Sequence, residues 1–152
     1  FPGAEERIMD LIKKERQIGL DNLKPYSEFA SRIYKIKEKL VNFLRQEKNI
    51  GKKIWIYGAS TRGNVILQYF GLNSELIDGI ADMNPDKWGK KTIGSLISIY
   101  SPQKMRKANP DYLLVNTWHF LNEITKQEKE FFDKGGKFIV ALPEFKIIGK
   151  ND

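Results

Sequence analysis

The chain contains no cysteine and only one histidine, His119. The first absence excludes disulfides, thiolate metal sites and cysteine nucleophiles; it fits a reducing cytoplasm, where the protein is expected to reside. The second excludes a multi-histidine metal centre, so no metal is expected in this chain. Long hydrophobic runs are missing as well. None approaches the roughly 20 residues that span a bilayer, so no transmembrane helix is expected. The start, Phe1-Pro2-Gly3 followed by acidic residues, lacks the basic and apolar regions of a signal peptide. Because the first residue is Phe rather than Met, a segment is expected to precede it.

What is present reads as one ordinary soluble domain. The 152 residues, 41% hydrophobic and 30% charged, suffice to bury a core without staples. A formal charge of +7 favours anionic partners. The lysines are dispersed, and no basic block is interleaved with aromatics in the manner that stacks on bases, which argues against nucleic acid. A phosphorylated small molecule explains the sign of the charge equally well.

The pattern changes near residue 50. Before it the periodicity is helical: Glu5 to Ile18 places Ile8, Leu11 and Ile12 on one face, and Gly19 is a stop signal. After Pro25, the residues Phe29, Ile33, Ile36, Leu40 and Phe43 form one apolar stripe, with Lys35, Lys37, Glu38, Lys39 and Arg45 largely on wetted faces. Residues 1–50 are therefore expected to be an N-terminal helical segment packing on the core. From 51 to 152, short β-prone runs alternate with helical ones. Strands are expected at Ile54 to Tyr57, Leu76 to Ala81, Ser95 to Tyr100, Asp111 to Asn116 and, finally, Lys137 to Leu142. Helices are expected at Arg62 to Phe70 and about Leu121 to Lys134. This alternation predicts an α/β fold: a Rossmann-like three-layer domain with a mostly parallel sheet, preceded by the N-terminal helices.

The first strand runs directly into Gly58-Ala59-Ser60-Thr61-Arg62-Gly63-Asn64. Gly58 permits a sharp turn, and Gly63 permits close approach of the helix to the sheet or a ligand. Ser60 or Thr61 can cap the helix, whose free N–H groups favour an anion, and Arg62 adds a forked cation suited to phosphate. The run is neither a dinucleotide fingerprint, since Ser60 replaces the second glycine of G-x-G-x-x-G, nor a Walker A loop, since Asn64 follows Gly63. A well-capped structural turn is the competing reading. Asp82, at the end of the second strand, fits either a ribose-binding carboxylate or a turn-stabilising one. Trp118 and His119 follow the fourth strand, also at its carboxyl end. His119 has no carboxylate partner nearby in sequence, which favours packing or a hydrogen bond to ligand over acid–base catalysis.

At these residues the chain resembles the C-terminal domain of sugar C-methyltransferases. The run from Ile56 to Asn64, with Leu67-Gln68-Tyr69-Phe70-Gly71, is similar to the family's G-Y-G-A-[PS]-[AST]-K-G-N-T-L-L-x-Y-x-G. Ile77-Asp78 follows in order, then Asp82-Met83-Asn84-Pro85-Asp86-Lys87-Trp88-Gly89, which resembles D-x-N-P-x-K-x-G. Gly94, Ser101-Pro102, Pro110-Asp111-Tyr112, Trp118-His119 and Gly135-Gly136-Lys137-Phe138-Ile139 complete the series. Arg62 stands where the family commonly has lysine, which keeps the charge and changes its geometry.

The resemblance implies a parent protein with a zinc-binding region, a central S-adenosylmethionine domain and this C-terminal one, methylating a ring carbon of a nucleotide-linked deoxy-keto sugar. It implies a sugar-nucleotide site at Gly58, Ser60, Thr61, Arg62, Gly63, Asn64, Trp118 and His119. The chain has no cysteine-rich zinc segment and no second glycine-rich loop, so S-adenosylmethionine and zinc are implied for the parent alone. The chain is expected to be a fragment with no catalytic residue of its own and no activity alone. Two other readings stay open: a nucleotide- or coenzyme A-binding sensor domain, and a purely structural docking module.

Overall fold

The computed structural model describes residues 3–150. They fall into two compact units, one ending at Lys35 and the other beginning at Ile36. The first holds helix α1 (Ala4–Gln17) and the opening turns of α2 (Lys24–Asn49). Glu5 and Glu6 lie in the first turn of α1 and Lys14 and Arg16 in its last, each complementing the helix dipole. The helix ends where Gly19, at φ 75°, donates its N–H to the Arg16 carbonyl. No residue of α1 is buried. Among the described residues, no helix is long and apolar enough to cross a membrane.

The second unit is built on a sheet of β1 (Ile54–Tyr57), β2 (Gly79–Ala81), β3 (Ile99–Tyr100), β4 (Tyr112–Val115), β5 (Lys137–Val140) and β6 (Lys146–Ile148), in the order β3-β2-β1-β4-β5-β6. Every pairing is parallel except β5 with β6. Helices α3 (Thr61–Phe70), α4 (Pro102–Ala108), α5 (Leu121–Gln127) and α6 (Lys129–Asp133) connect the strands. The architecture is the Rossmann-like three-layer α/β fold that the alternation predicts.

β1 and β4 are buried along their whole length because both faces of the sheet are covered. On one face Trp55, Tyr57, Leu113, Val115 and Phe138 pack with Met105 of α4 and Ile124 of α5. The opposite face presents Ile54, Ile56, Ile80, Leu114 and Ile139, all fully buried. There Phe43 of α2 meets Tyr112 edge-on at 5.2 Å. Each such apolar side chain removed from water contributes about 1.5–3 kcal/mol. The buried positions of α2 are Leu40, Val41 and Leu44, at the carboxyl side of the expected stripe, whereas Phe29 near its start is 57% exposed.

Two aspartates pin the start of β1. Asp78 accepts the Ile54 N–H at 2.7 Å and the Lys48 ammonium at 2.8 Å. On the other side, Asp111 accepts the Lys53 N–H at 2.8 Å and the Lys52 ammonium at 2.9 Å. Burial pushes the Asp111 carboxyl up, but the Lys53 N–H and the Lys52 ammonium outweigh it and hold the group below its ordinary value.

Several elements differ in extent from the sequence pattern. β2 begins only at Gly79, because the N–H groups of Leu76 and Ile77 turn back to the Asn73 carbonyl and Asp78 is engaged by β1. β3 is limited to two residues, since Thr92 to Ile97 closes on itself through the Thr92 hydroxyl, and Leu96 takes a φ of 55°. The expected helix from Leu121 to Lys134 is interrupted at Glu128. That carboxylate, 1% exposed, takes a two-pronged ion pair from Arg106 of α4 at 2.7 and 2.9 Å. Lys137–Val140 is not the last strand: β6 adds an antiparallel edge.

Candidate functional site

The strand order reverses at β1. The chain runs outward from β1 through β2 to β3, then returns to the other side of β1 as β4. In open α/β sheets such a switch point leaves a crevice at the carboxyl ends of the two diverging strands. Here those ends are Gly58, after β1, and Asn116, after β4. A cavity of about 300 Å³ lies there, lined from one side by Ser60, Thr61 and Arg62 and from the other by residues 116–120.

The β1–α3 loop is held by local chemistry. Gly58 has φ 94°, in the left-handed region, and a Cβ on it would stand 3.3 Å from the Thr117 hydroxyl oxygen. Ser60 is extended and caps α3, its hydroxyl oxygen accepting the Gly63 N–H at 3.0 Å. The next two N–H groups forward of the cap, those of Thr61 and Arg62, meet no acceptor in the described structure. They carry the positive end of the helix dipole into the crevice. The Arg62 side chain is exposed, and among the described residues no carboxylate pairs with it.

Gly63 allows the helix to approach β4. A Cβ there would meet Asn116 Nδ2 at 2.7 Å and its Cβ at 3.0 Å. Asn116 is 4% exposed, lines the cavity, and its side-chain amide has no hydrogen-bond partner among the described residues. Asn64, one turn into α3, carries a buried side-chain oxygen with no partner among the described residues. Trp118 and His119 form a short 3₁₀ turn with Phe120, and their rings stand 4.8 Å apart. His119 is exposed, and among the described residues no carboxylate orients it.

Asp82 serves the loop rather than the cavity. One of its oxygens accepts the Ala59 N–H at 2.7 Å, and the other accepts the Asn84 N–H at 2.9 Å. The Lys87 ammonium bridges the Ala59 carbonyl at 2.9 Å and Asp82 at 3.1 Å. Both edges of the Ala59 residue are thus clamped from a turn that Asn84 and Pro85 nucleate. The Trp88 indole N–H closes the turn on the Asp82 carbonyl at 2.7 Å. The turn-stabilising reading of Asp82 is the one the structure bears out.

Residues 2–143 match the family described as C-methyltransferase C-terminal domain. The chain belongs to that family. It is also 35% identical over 141 residues to the C-methyltransferase NovU of Streptomyces niveus, an alignment covering 93% of this chain and 34% of that protein. The chain thus spans about a third of the length of the curated relative it matches.

In this C-methyltransferase C-terminal domain, the residues singled out from sequence take different places around the cavity. Ser60, Thr61, Arg62, Trp118 and His119 line the cavity, whereas Gly58 and Gly63 lie beneath it, packed against Thr117 and Asn116. Asn116, Thr117 and Phe120 also line it and were not legible from local sequence. A lone asparagine after a strand has no signature; only the crossing of β4 beside β1 brings it to the cavity. Among the described residues, no three His, Cys, Asp or Glu side chains come together to hold a metal ion, so these residues do not fit the zinc site implied for a parent protein.

Proposed function

We propose that this chain is the sugar-nucleotide-binding C-terminal domain of an S-adenosylmethionine-dependent C-methyltransferase acting on a nucleotide-linked deoxy-keto sugar. The observation that carries the reading is the switch-point crevice, where a helix N-terminus, the exposed Arg62 guanidinium and the cavity-lining Asn116 amide converge. The Thr61 and Arg62 N–H groups and the Arg62 guanidinium suit a diphosphate; the Asn116 amide suits a hydroxyl or carbonyl of the same ligand.

In this reading the chain binds and orients and does not react. Methyl transfer requires removal of a proton beside the sugar ketone and attack of the resulting enolate carbon on the methyl of S-adenosylmethionine, which leaves as S-adenosylhomocysteine. The residues for that chemistry belong to the rest of the parent protein. The Asp82 arrangement argues against a dinucleotide sensor, because the carboxylate that would take a ribose is already engaged by the Ala59 and Asn84 N–H groups and Lys87 in holding the loop.

Titration of the labelled chain with a thymidine diphosphate sugar tests this directly. Amides of residues 58–64 and 116–119 are expected to shift. Arg62→Ala is expected to weaken binding by roughly 10- to 150-fold, the equivalent of one charge-assisted contact of about 1.5–3 kcal/mol. An affinity that does not change on loss of Arg62, or amide shifts confined to other loops, would overturn the assignment.

A further inference from the structure

A second cavity, of about 210 Å³, shares one wall with the crevice: Trp118 lines both. The two differ in chemistry. The first offers N–H groups, a guanidinium and an amide. The second is formed mainly by Leu121, Val140, Leu142, Pro143 and Ile148. Its two charged residues, Glu144 and Lys146, pair with each other at 3.1 Å, so neither sign of charge is favoured there.

We infer that this second cavity is the nucleobase subsite of the ligand whose diphosphate occupies the α3 N-terminus, with Trp118 as its stacking wall. The inference rests on the sugar-nucleotide reading above. Trp118 is half-buried beside the His119 ring, and its indole N–H meets no acceptor among the described residues. A planar base offers what such a wall lacks: a π face to stack on and a carbonyl for the N–H. The three parts of the ligand also compete for places. The sugar carbon must be presented to a methyl donor that this chain does not hold, so the sugar belongs at the open mouth of the crevice, beside exposed His119 and Phe120. The base takes no part in the reaction and is the part free to be sunk in an apolar cavity.

The test compares inorganic pyrophosphate with thymidine diphosphate by calorimetry on the chain, with methyl NMR on Val140, Leu142 and Ile148. Thymidine diphosphate is expected to bind at least about fivefold more tightly, as base stacking on an aromatic ring implies, and to shift those methyls where pyrophosphate does not. Leu142→Ala and, independently, Ile148→Ala are expected to reduce that gain at least severalfold while leaving pyrophosphate affinity unchanged, and Trp118→Ala is expected to abolish the gain. Equal affinity for the two compounds, or a gain without methyl shifts, would overturn the subsite and leave the anion site standing. Binding of neither compound would overturn both.

Discussion

Replacing Gly63 by alanine sets two effects of known size against each other. Within a helix, alanine is favoured over glycine by about 0.8–1.0 kcal/mol. Against this, the new methyl would stand 2.7 Å from Asn116 Nδ2 and 3.0 Å from both Cβ and Cγ of the same residue. The Nδ2 contact alone could be relieved by rotation. The Cβ contact cannot, because Asn116 directly follows β4 and is 4% exposed. Overpacking of this kind costs about 1–3 kcal/mol. With the obstacle fixed on the backbone the cost exceeds the propensity gain, and a net loss of about 1 kcal/mol is expected. For a domain of this size that lowers Tm by about 2–4 °C. The same displacement moves the Asn116 amide, so affinity for a thymidine diphosphate sugar is expected to fall as well. Thermal denaturation with calorimetric titration reads both quantities. A Tm that rises with affinity retained would show that helix propensity dominates, and would refute the close packing of α3 on β4 as the reason for glycine.

Lys87→Met removes the bridge between the Ala59 carbonyl and Asp82; faster amide exchange at Ala59 and a roughly three- to tenfold loss of pyrophosphate affinity are expected, and an unchanged affinity would mean the clamp does not position the loop. Arg106→Met strands the buried Glu128 carboxylate and is expected to destabilise by about 3 kcal/mol in urea unfolding. The double variant with Glu128→Leu should recover most of that loss, and its failure to do so would count against the pair as the cause. Because the folded-state pKa of Asp111 is depressed, its stabilisation is present above the ordinary value of 3.8 and is lost as pH falls through the lower folded value. Asp111→Asn should therefore flatten the acid limb of a stability-versus-pH curve; an unaltered limb would rule the group out as its source.

Local signals in the sequence were legible where chemistry is local. The glycine loop, the Ser60 cap and the αL stop at Gly71 announce themselves within a few residues, and the structure uses each of them. Other features depend on partners far along the chain. The break at Glu128 comes from Arg106, 22 residues earlier, on another helix. Ser101 and Pro102 do carry the start signals of α4, with the Ser101 hydroxyl oxygen accepting the Lys104 N–H at 3.2 Å, yet seven residues are too few for an apolar period to show. β6 is three residues at the sheet edge, none fully buried, so its hydrophobic pattern is faint. Asp82 was ambiguous because a turn and a ribose make the same demand of a carboxylate; only the Ala59 N–H, 23 residues away, decides between them.

The paired aspartates at the start of β1 have a consequence for the opposite end of the strand. Sliding β1 by two residues would keep every side chain on its own face, so burial alone does not forbid it. Such a slip would, however, take the N–H groups of Lys53 and Ile54 away from Asp111 and Asp78 together. The two carboxylates thus act as an index mark. They fix how far the strand advances before it releases Gly58, roughly 13 Å further along at about 3.3 Å per residue. The height at which the Arg62 loop meets Asn116 is set from the far side of the sheet, by residues that never approach a ligand.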